Sequence, residues 1–412
     1  MPPAGIAIVR VSGPKAGTVL DRLAGKRPLP RQASYRVLRD DQDVVLDHAL
    51  ILWFPGPATA TGEDLVEFHL HGGRAVVAAV LAAIGALRET RPAEAGEFTR
   101  RAFENGRIDL AQAEGLSELL AAETESQRQS ALALAEGGLG RRVNAWQAAL
   151  LSLSAQLEAE LDFFDEGDVT ERAPNELQSR IGTLVDDMKA LLATPGAERL
   201  RDGVRVVLAG PTNSGKSSLF NVLIDRDAAI VSDIAGTTRD RIEAPIALDG
   251  FPMVLIDTAG LRDSEDRIES IGVARARDAL STADLILWLG PSSEAPESAI
   301  RIAPKSDLAG PETQTGLRVS SHTGEGIVEL REELLGRARS LLPKPGALAL
   351  NQRHRSILSG VLGELEAASQ VTDALIIAEH FRMARDYLDR LTGKSGVEDM
   401  LDALFGNLCI GK

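Results

Sequence analysis

The chain has 412 residues, which predicts two or three domains and excludes a single small fold. Its 45 Lys and Arg residues are outnumbered by 60 Asp and Glu residues, and the net charge of −15 argues against a surface that cradles a nucleic-acid backbone by itself. With 44% hydrophobic and 25% charged residues, the composition is typical of a folded soluble protein and excludes disorder throughout.

The cysteine and histidine content limits the chemistry further. One cysteine, Cys409, and six scattered histidines exclude a disulfide framework and a clustered zinc site. The chain does not open with a basic region followed by an apolar core, and no window approaches the roughly 18 apolar residues of a membrane span. We therefore expect a cytoplasmic protein that does not enter a membrane.

The first hundred residues have the patterns of strands in a small α/β unit. Apolar runs occupy residues 5–11 and 49–54, and residues 64–71 alternate apolar with polar positions at a period of two. From Ile108 the chain becomes rich in Ala, Leu, Glu and Gln, and apolar residues recur at steps of three or four. This spacing predicts a long helix with one apolar face, formed by Trp146, Leu150, Leu153, Leu157, Leu161 and Phe164.

A second change of pattern comes near Gly203. Short apolar runs (RVVLAG, MVLID and ADLILWL) alternate there with helical or loop segments, which predicts a parallel sheet with crossover helices. Beyond Pro343 the helical pattern returns. We therefore expect a multidomain α/β plus all-α chain, with an N-terminal α/β domain over residues 1–106, a helical domain over 107–202 and 343–412, and an inserted P-loop domain over 203–342.

The segment GPTNSGKSS, which begins at Gly210, follows a buried-strand pattern and precedes a helical one. It has the spacing G-x-x-x-x-G-K-[ST], whose glycines permit a tight loop with backbone N–H groups directed at phosphate oxygens. We expect Lys216 to reach the outer phosphates as a catalytic residue and the Ser217 hydroxyl to bind magnesium. The other predicted nucleotide contacts of this loop are Asn213, Ser214, Gly215 and Ser218.

Two downstream segments agree with a nucleotide site. Asp257 follows a strand and is expected to hold the magnesium shell through water, with Thr258, Ala259 and the Gly260 N–H beside the terminal phosphate. The turn-prone residues before that strand could become ordered when a γ-phosphate and magnesium bind, and Thr238 is the expected second magnesium ligand. The predicted nucleotide contacts of this stretch are Ser232, Asp233, Ile234, Ala235, Gly236, Thr237 and Thr238.

Base selection is predicted from the residues after a later strand. Ras-like GTPases, which this module resembles, carry Asn-Lys-x-Asp at this point, whereas here Pro304 replaces the Asn. Asp307 can accept hydrogen bonds from two guanine donors that adenine lacks, and Lys305 can lie along the ring. We therefore predict a GTPase with weakened affinity rather than an ATPase. The loop expected to contact the guanine carbonyl contains Ser320, Ser321 and His322.

A further set of motifs is spread over the whole chain, namely VRVSG, WFPGPATATGEDLVEFHLHGG, AGEFTRRAFENGRIDLAQAEG, GTTRD, DTAGLR and the terminal CIGK. In these motifs the chain resembles the MnmE/TrmE family of tRNA-modification GTPases. The resemblance implies a folate-binding, dimer-forming N-terminal domain and a helical domain interrupted by a Ras-like GTPase domain. It also implies that the homodimer forms a heterotetramer with an FAD-dependent partner (MnmG/GidA).

In this family GTP hydrolysis is coupled to carboxymethylaminomethyl or aminomethyl addition at carbon 5 of the tRNA wobble uridine. The one-carbon unit comes from 5-formyltetrahydrofolate or methylene-tetrahydrofolate, and the partner complex makes most tRNA contacts. The resemblance implies folate contacts by Arg10, Glu67, Arg107 and Lys412. It implies potassium ligands at Asn213, Ser232, Ile234 and Thr237, with the ion taking the part of an arginine finger.

The resemblance also bears on the attacking water. Leu261 occupies the place of the water-orienting Gln of Ras-like proteins and cannot bind water, so hydrolysis needs an acidic residue or a cation instead. Glu269 matches the acidic family residue that positions water. Cys409, in the terminal CIGK, is either a thiolate that acts in the one-carbon step or a small buried apolar residue.

Other interpretations stay open. His69 and His71 share one face of a strand and indicate either packing or a metal site. The short basic clusters at residues 100–101 and 353–355 indicate either helix surface or contacts to tRNA phosphates. The competing function is that of a regulatory GTPase switch without one-carbon chemistry, which would need neither the folate residues nor CIGK.

Overall fold

The computed structural model describes residues 4–163, 174–226, 243–258, 278–308, 316–395 and Leu404. The chain forms two compact units, the first from residues 1–114 with 392–412 and the second from residues 115–391. The first unit holds a four-stranded sheet and the second a six-stranded sheet. The domain boundaries expected after residues 106, 202 and 342 stay predictions.

The sheet of the first unit is antiparallel throughout. Its strands lie in the order β1-β4-β3-β2, and they are β1 (Ile6–Ser12), β2 (Ser34–Arg39), β3 (Val45–Phe54) and β4 (Leu65–His71). Three of these strands were expected from apolar runs or alternation, and β2 is an addition. The register sets Arg10 of β1 directly opposite Glu67 of β4.

Helices α1 (Ala16–Ala24) and α2 (Arg74–Gly85) cover one face of this sheet. The core between them includes Val9, Leu20, Ile51, Phe68 and Leu70. Because neighbouring residues of a strand point to opposite faces, other apolar side chains project from the uncovered face. These exposed side chains are Ile6 (67% exposed), Ile8 (51%), Tyr35 (65%) and Leu50 (48%).

Two further helices follow, α3 (Glu97–Glu104) and α4 (Leu110–Ala121). The start of α4 is capped reciprocally, since the Asp109 carboxylate accepts from the Gln112 N–H at 2.7 Å and the Gln112 side chain accepts from the Asp109 N–H at 2.9 Å. Leu110 is buried against a small apolar cluster that includes Leu404 from the far end of the chain. The first unit therefore combines both ends of the chain.

The second unit begins with a series of helices. They are α5 (Glu125–Ala135), α6 (Gly138–Phe163), α7 (Pro174–Leu192) and α8 (Ala197–Asp202). The long helix predicted from the apolar stripe is α6, and Trp146, Leu150, Leu153 and Leu157 are all buried in it. The side chain of Leu161 and all of Phe164 lie outside the described residues.

The six-stranded sheet has the order β10-β9-β8-β5-β7-β6. The strands are β5 (Val204–Ala209), β6 (Glu243–Leu248), β7 (Phe251–Asp257), β8 (Leu285–Trp288), β9 (Ile300–Pro304) and β10 (Leu317–Val319). Helix α9 (Lys216–Arg226) follows β5, α10 (Ile327–Leu341) follows β10, and α11 (Gln352–Gln370) and α12 (Ala374–Thr392) complete the unit. Every described pairing is parallel except β6 with β7.

The parallel arrangement expected from the three apolar runs is confirmed for the strands they form, β5, β7 and β8, whereas β6, which was not predicted, adds one antiparallel strand. Asp249 and Gly250 join β6 to β7 with φ angles of 49° and 79°. Two residues with positive φ form a tight hairpin, which forces the strands to run antiparallel. The remaining strands keep the parallel arrangement that brings their carboxyl ends to one edge of the sheet.

Candidate functional site

The loop between β5 and α9 has the geometry of a phosphate-binding loop. Gly210 and Gly215 have φ angles of 144° and 98°, which side chains rarely permit. A Cβ atom on Gly210 would lie 2.9 Å from the carbonyl of Leu289, so only glycine fits there. The predicted contacts Ser214 and Ser218 lie in this loop and at the start of α9.

Lys216 is the buried cation of this loop and is only 5% exposed. Its Nζ donates to the Gly210 carbonyl at 3.1 Å and to the Pro211 carbonyl at 2.6 Å. A cavity of about 580 Å³ adjoins it, lined by the loop, Thr258 and Lys305. A buried ammonium group at the start of a helix creates a site suited to phosphate oxygens.

The end of β7 meets the start of α9. The Ser217 hydroxyl donates to the Asp257 carboxylate at 2.7 Å, and Asp257 is only 4% exposed. The neighbouring Thr258 is held by a hydrogen bond from its hydroxyl to the Leu208 carbonyl at 2.8 Å. Oxygen ligands so close together beside a phosphate loop match the ligand preference of magnesium.

The base end of the site is formed by residues after β9 and β10. Lys305 donates from Nζ to the Asn213 carbonyl at 3.0 Å, which links this end to the phosphate loop. The Ser320 hydroxyl donates to the Asp307 carboxylate at 2.6 Å, and this bond lowers the pKa of Asp307. Ser320 Oγ also accepts from the His322 and Thr323 N–H groups, at 3.2 and 3.0 Å. Asp307 is therefore held as an ionised acceptor two residues beyond Lys305, which lines the cavity.

Several predicted site residues lie outside the described part of the chain. They are Ser232, Asp233, Ile234, Ala235, Gly236, Thr237, Thr238, Ala259, Gly260, Glu269, Cys409 and Lys412. Their nucleotide, magnesium, potassium, folate and catalytic roles stay predictions. Within the described part, Asn213, Lys216, Ser217, Asp257 and Lys305 are brought together by the contacts above.

Two of the predicted folate residues form a pair on the uncovered face of the first sheet. Arg10 Nε donates to the Glu67 carboxylate at 2.8 Å, and His69 Nε2 lies 3.1 Å from the other oxygen of that carboxylate. Arg107 follows α3, where its side chain packs beside Gly62. The structure thus pairs Arg10 with Glu67 and gives His69 a carboxylate partner.

A cavity of about 620 Å³ lies along β1, with Arg10 in its lining. Arg101 and Glu97 also line it, and the Arg101 guanidinium donates to Glu63 at 2.9 Å and to Glu97 at 2.7 Å. Glu97 also accepts from Arg91 at 2.7 Å. Burial raises the pKa of Glu97, but the hydrogen bonds from Arg91, the Glu94 N–H and Arg101 outweigh this and lower it to about 2.

The acidic residues of this network were not assigned roles from the sequence. Glu63 and Glu97 stand in the motifs TGEDLVE and AGEFTRR, which were used only as family markers. Glu63 and Glu97 each follow a glycine in a segment rich in loops. Charged residues at such positions often carry function, and this could have marked both of them as candidates. The structure shows Arg101 as an internal ion-pair partner, and Arg100 pairs with Glu104 at 3.0 Å.

The second basic cluster also has intramolecular partners. Arg355 donates to the Leu192 and Thr194 carbonyls at 2.6 and 2.9 Å, beyond the last turn of α7. Arg353 donates to the Leu391 carbonyl at 3.4 Å, at the end of α12. Cations at helix carboxyl ends satisfy orphan carbonyls and complement the helix dipole. Helix ends therefore account for these arginines.

Neither a metal cluster nor a membrane-spanning helix is present among the described residues. No group of three His, Cys, Asp or Glu residues there is arranged to hold a metal ion, so the pair His69 and His71 is not part of such a cluster. In the same part of the chain, no helix combines the length and apolar character needed to cross a membrane.

Two family models match the chain in succession. The model "GTP-binding protein TrmE N-terminus" matches residues 1–107, and "MnmE helical domain" matches residues 110–409. A tRNA modification GTPase MnmE from Erythrobacter litoralis is 54% identical over 100% of this chain and 97% of its own length. Proteins of that name from Novosphingobium aromaticivorans and Rhizorhabdus wittichii are 52% and 53% identical over the whole chain. The chain belongs to the MnmE family of tRNA modification GTPases.

Proposed function

We propose that this protein hydrolyses GTP to drive one-carbon modification at carbon 5 of the tRNA wobble uridine. The observation that carries the proposal is the Lys216 amine, buried within the phosphate loop beside the Ser217–Asp257 pair. The homologues' printed name, tRNA modification GTPase, supports the same activity. An FAD-dependent partner of the MnmG/GidA kind supplies the redox chemistry and, as a heterotetramer with this chain, most tRNA contacts.

In the nucleotide site, Lys216 binds the outer phosphates and magnesium stabilises their charge. Ser217 and Thr238 hold that ion, with Asp257 in its water shell. Asp307 accepts from the guanine N1–H and amino group, and Lys305 lies along the ring. Because Leu261 cannot orient water, Glu269 takes that role.

Potassium supplies the remaining positive charge. Its proposed ligands are Asn213 of the phosphate loop and three residues of the 232–240 segment, namely Ser232, Ile234 and Thr237. The geometry of Asn213 supports this placement, because its backbone is anchored by Lys305 while its side chain is exposed beside the cavity. A fixed cation at the γ-phosphate offsets charge that develops in the transition state.

For the folate, we propose the cavity along β1 that Arg10 lines, with Glu67 holding the Arg10 guanidinium. A tetrahydrofolate joins an apolar aromatic body to carboxylates, and the cavity along β1 combines apolar walls such as Val9 and Phe98 with the charges of Arg10 and Arg91. Arg107 and Lys412 complete the proposed contacts, and Cys409 lies three residues from Lys412 in the chain. The ligand supplies the one-carbon unit, and the protein binds and orients it.

The uncovered face of the first sheet supports a homodimer. Ile6, Ile8, Tyr35 and Leu50 project from it together, and an exposed apolar area of this kind is typical of protein interfaces. In the proposed dimer, GTP binding brings two GTPase modules together and hydrolysis separates them. That cycle would alter the folate site through the helical domain.

The decisive experiment combines binding and modification. Calorimetry should detect 5-formyltetrahydrofolate bound to the nucleotide-free protein, and weaker binding to Glu67→Gln and to a variant ending at Leu408. With the FAD-dependent partner and tRNA, the unaltered chain should modify the wobble uridine and Lys216→Ala should not. GTP hydrolysis without any folate binding would instead favour a regulatory switch.

A further inference from the structure

The loop that meets the base has no asparagine side chain to hold it. We call residues 304–308 the base loop, and residues 320–325 the facing loop. Pro304 has neither a backbone N–H nor a side-chain amide, so it offers no donor to either the base or the phosphate loop. A Cβ atom on Gly215 would lie 3.8 Å from the Cβ of Pro304, so this ring adjoins the phosphate loop where an amide would otherwise bond.

The backbone of the base loop nonetheless takes a demanding conformation. Lys305 has a φ of 59°, in the left-handed region that residues with a side chain populate rarely. The cost of such a conformation is of order 1 kcal/mol or more, and it persists only where surrounding contacts hold it. Contacts from outside the base loop must therefore replace the missing asparagine.

The facing loop supplies two such contacts from its side chains. The Ser306 hydroxyl donates to the Glu325 carboxylate at 2.8 Å, and the Ser320 hydroxyl donates to Asp307 at 2.6 Å. Ser306 also donates from its N–H to the Val319 carbonyl at 3.2 Å. Ser306 thus stands between Lys305 and Asp307, the two residues proposed to touch the base, and is tied down on both its backbone and its side chain.

The backbone of Glu325 is itself held in place. The Ser320 N–H donates to the Glu325 carbonyl at 2.9 Å, and the Gly324 N–H donates to the Ser320 carbonyl at 2.9 Å. The facing loop is therefore closed on itself and presents Glu325 and Ser320 together. A hydrogen bond from a hydroxyl to a carboxylate is among the stronger kinds, although exposure moderates it here.

We propose that Glu325 is a positioning residue for guanine, which holds the base loop through Ser306 in place of the missing asparagine. Glu325 acts through Ser306 and does not touch the base. The inference rests on the proposed contact of Asp307 with guanine. It goes beyond that contact because it makes selectivity for guanine depend on Glu325, a residue outside the base loop.

The test compares binding of GDP with binding of IDP, whose base lacks the amino group that Asp307 would accept from. The unaltered protein should bind GDP more tightly than IDP. If the ratio of GDP affinity to IDP affinity were near one, the proposed contact of Asp307 with guanine would itself be overturned. Glu325→Ala should weaken GDP binding roughly three- to tenfold and IDP binding less, so that the GDP-to-IDP ratio falls. Glu325→Gln keeps an acceptor for Ser306 and should restore most of the ratio.

Ser306→Ala removes the same hydrogen bond from the other side and should lower the ratio equally, which keeps the test valid if Glu325→Ala folds poorly. Glu329→Ala, the loss of an exposed carboxylate in α10, is the matched control and should leave the ratio unchanged. An unchanged ratio in both Glu325→Ala and Ser306→Ala, or equal losses of GDP and IDP affinity, would overturn the role of Glu325.

A variant with asparagine at position 304 tests directly whether Glu325 takes the place of that side chain. In a Pro304→Asn background the base loop gains an amide, so Glu325→Ala should cost at least twofold less GDP affinity than it does beside Pro304. Hydrogen bonds that perform one task are non-additive in such a double-mutant cycle. An equal cost in both backgrounds would show that Glu325 does not stand in for the asparagine.

Discussion

The Ser217 hydroxyl donates a 2.7 Å hydrogen bond to the Asp257 carboxylate, joining the first turn of α9 to the end of β7. One residue belongs to the phosphate loop and the other to the strand that precedes the 259–277 segment. Forty residues separate them in the chain, and the parallel pairing of β5 with β7 brings them together. The sheet therefore assembles the proposed magnesium site from local pieces that are distant in sequence.

This pair predicts a magnesium-dependent effect of Ser217→Ala. The variant should bind GDP in the presence of magnesium at least tenfold more weakly, because a proposed ligand of the ion is lost. In excess EDTA the two proteins should bind GDP equally, and fluorescent-nucleotide titrations measure both conditions. Ser218→Ala, which keeps the backbone N–H of that position, serves as the control; an equal loss with and without magnesium would contradict the proposed ligand role.

The proposed potassium site predicts faster GTP hydrolysis in potassium chloride than in sodium chloride. Asn213 has a φ of 59°, so an alanine there would add backbone strain to the loss of the amide. Asn213→Gly removes the amide and tolerates this conformation, and it should abolish the difference between the two salts. Steady-state phosphate release measures the rates, and equal rates for the unaltered protein in both salts would refute the role of potassium.

Local patterns were sufficient for the phosphate loop and for most strands. The motif from Gly210 to Ser217 is formed by neighbouring residues, so it can be recognised in the sequence. Gly210 and Gly215 adopt the positive φ angles that a tight phosphate loop requires. The strand β2 escaped prediction because its three apolar residues, Tyr35, Val37 and Leu38, neither form a continuous run nor alternate regularly, and only Leu38 is fully buried. Strand order in either sheet depends on long-range pairing, which no local pattern specifies.

The partners of charged side chains could not be predicted either, because they also depend on contacts between residues that are distant in the chain. Arg355 bonds to carbonyls of residues 192 and 194, which are more than 160 positions away in the chain. A basic cluster looks the same in sequence whether it faces tRNA or the end of a helix. The Lys305–Asn213 and Ser306–Glu325 contacts likewise emerge only after β9, β10 and the phosphate loop meet at one edge of the sheet.

The Glu97 network predicts an acid-sensitive contribution to stability in the first unit. With its pKa lowered to about 2, Glu97 stabilises the fold fully above pH 4.5, and this contribution is lost as the pH falls from 4.5 towards 2. Because the Arg91 side chain is more than half exposed, solvent screening reduces this contribution to about 1–2 kcal/mol at neutral pH. Hydrogen exchange of α3 should therefore quicken in this pH range.

Glu97→Gln isolates this effect. At pH 7 the variant should exchange the amides of α3 faster, whereas this difference should shrink below pH 4.5 and become small near pH 2, where Glu97 is half protonated. Glu104→Gln makes the same chemical change in the same helix at an exposed ion pair, which is worth little, and should have almost no effect. A difference that persists undiminished at low pH would rule out the carboxylate's charge as the cause.

The amino end of α5 predicts a structural link between that helix and the segment that leads into β5. The Gln127 side chain accepts from the Thr124 N–H at 2.9 Å in a capping box and donates to the Leu200 carbonyl of α8 at 3.0 Å. The same side chain accepts from the Glu123 N–H at 2.8 Å and donates to the Arg201 carbonyl at 3.3 Å, so Gln127→Ala loses all four bonds and should destabilise the second unit by about 1–3 kcal/mol. Urea unfolding measures this loss, and hydrogen exchange should quicken across residues 197–209.

Gln127→Glu distinguishes the hydrogen bonds that this side chain accepts from those that it donates. Its carboxylate still accepts from the Thr124 N–H, but it cannot donate to the Leu200 carbonyl, so α5 should stay capped while α8 loosens. Gln129→Ala removes a neighbouring glutamine that bonds only to the exposed Glu125 side chain, at 2.7 Å, and should alter neither region. If hydrogen exchange across residues 197–209 is unchanged in Gln127→Glu, the hydrogen bond to the Leu200 carbonyl does not stabilise the segment that leads into β5.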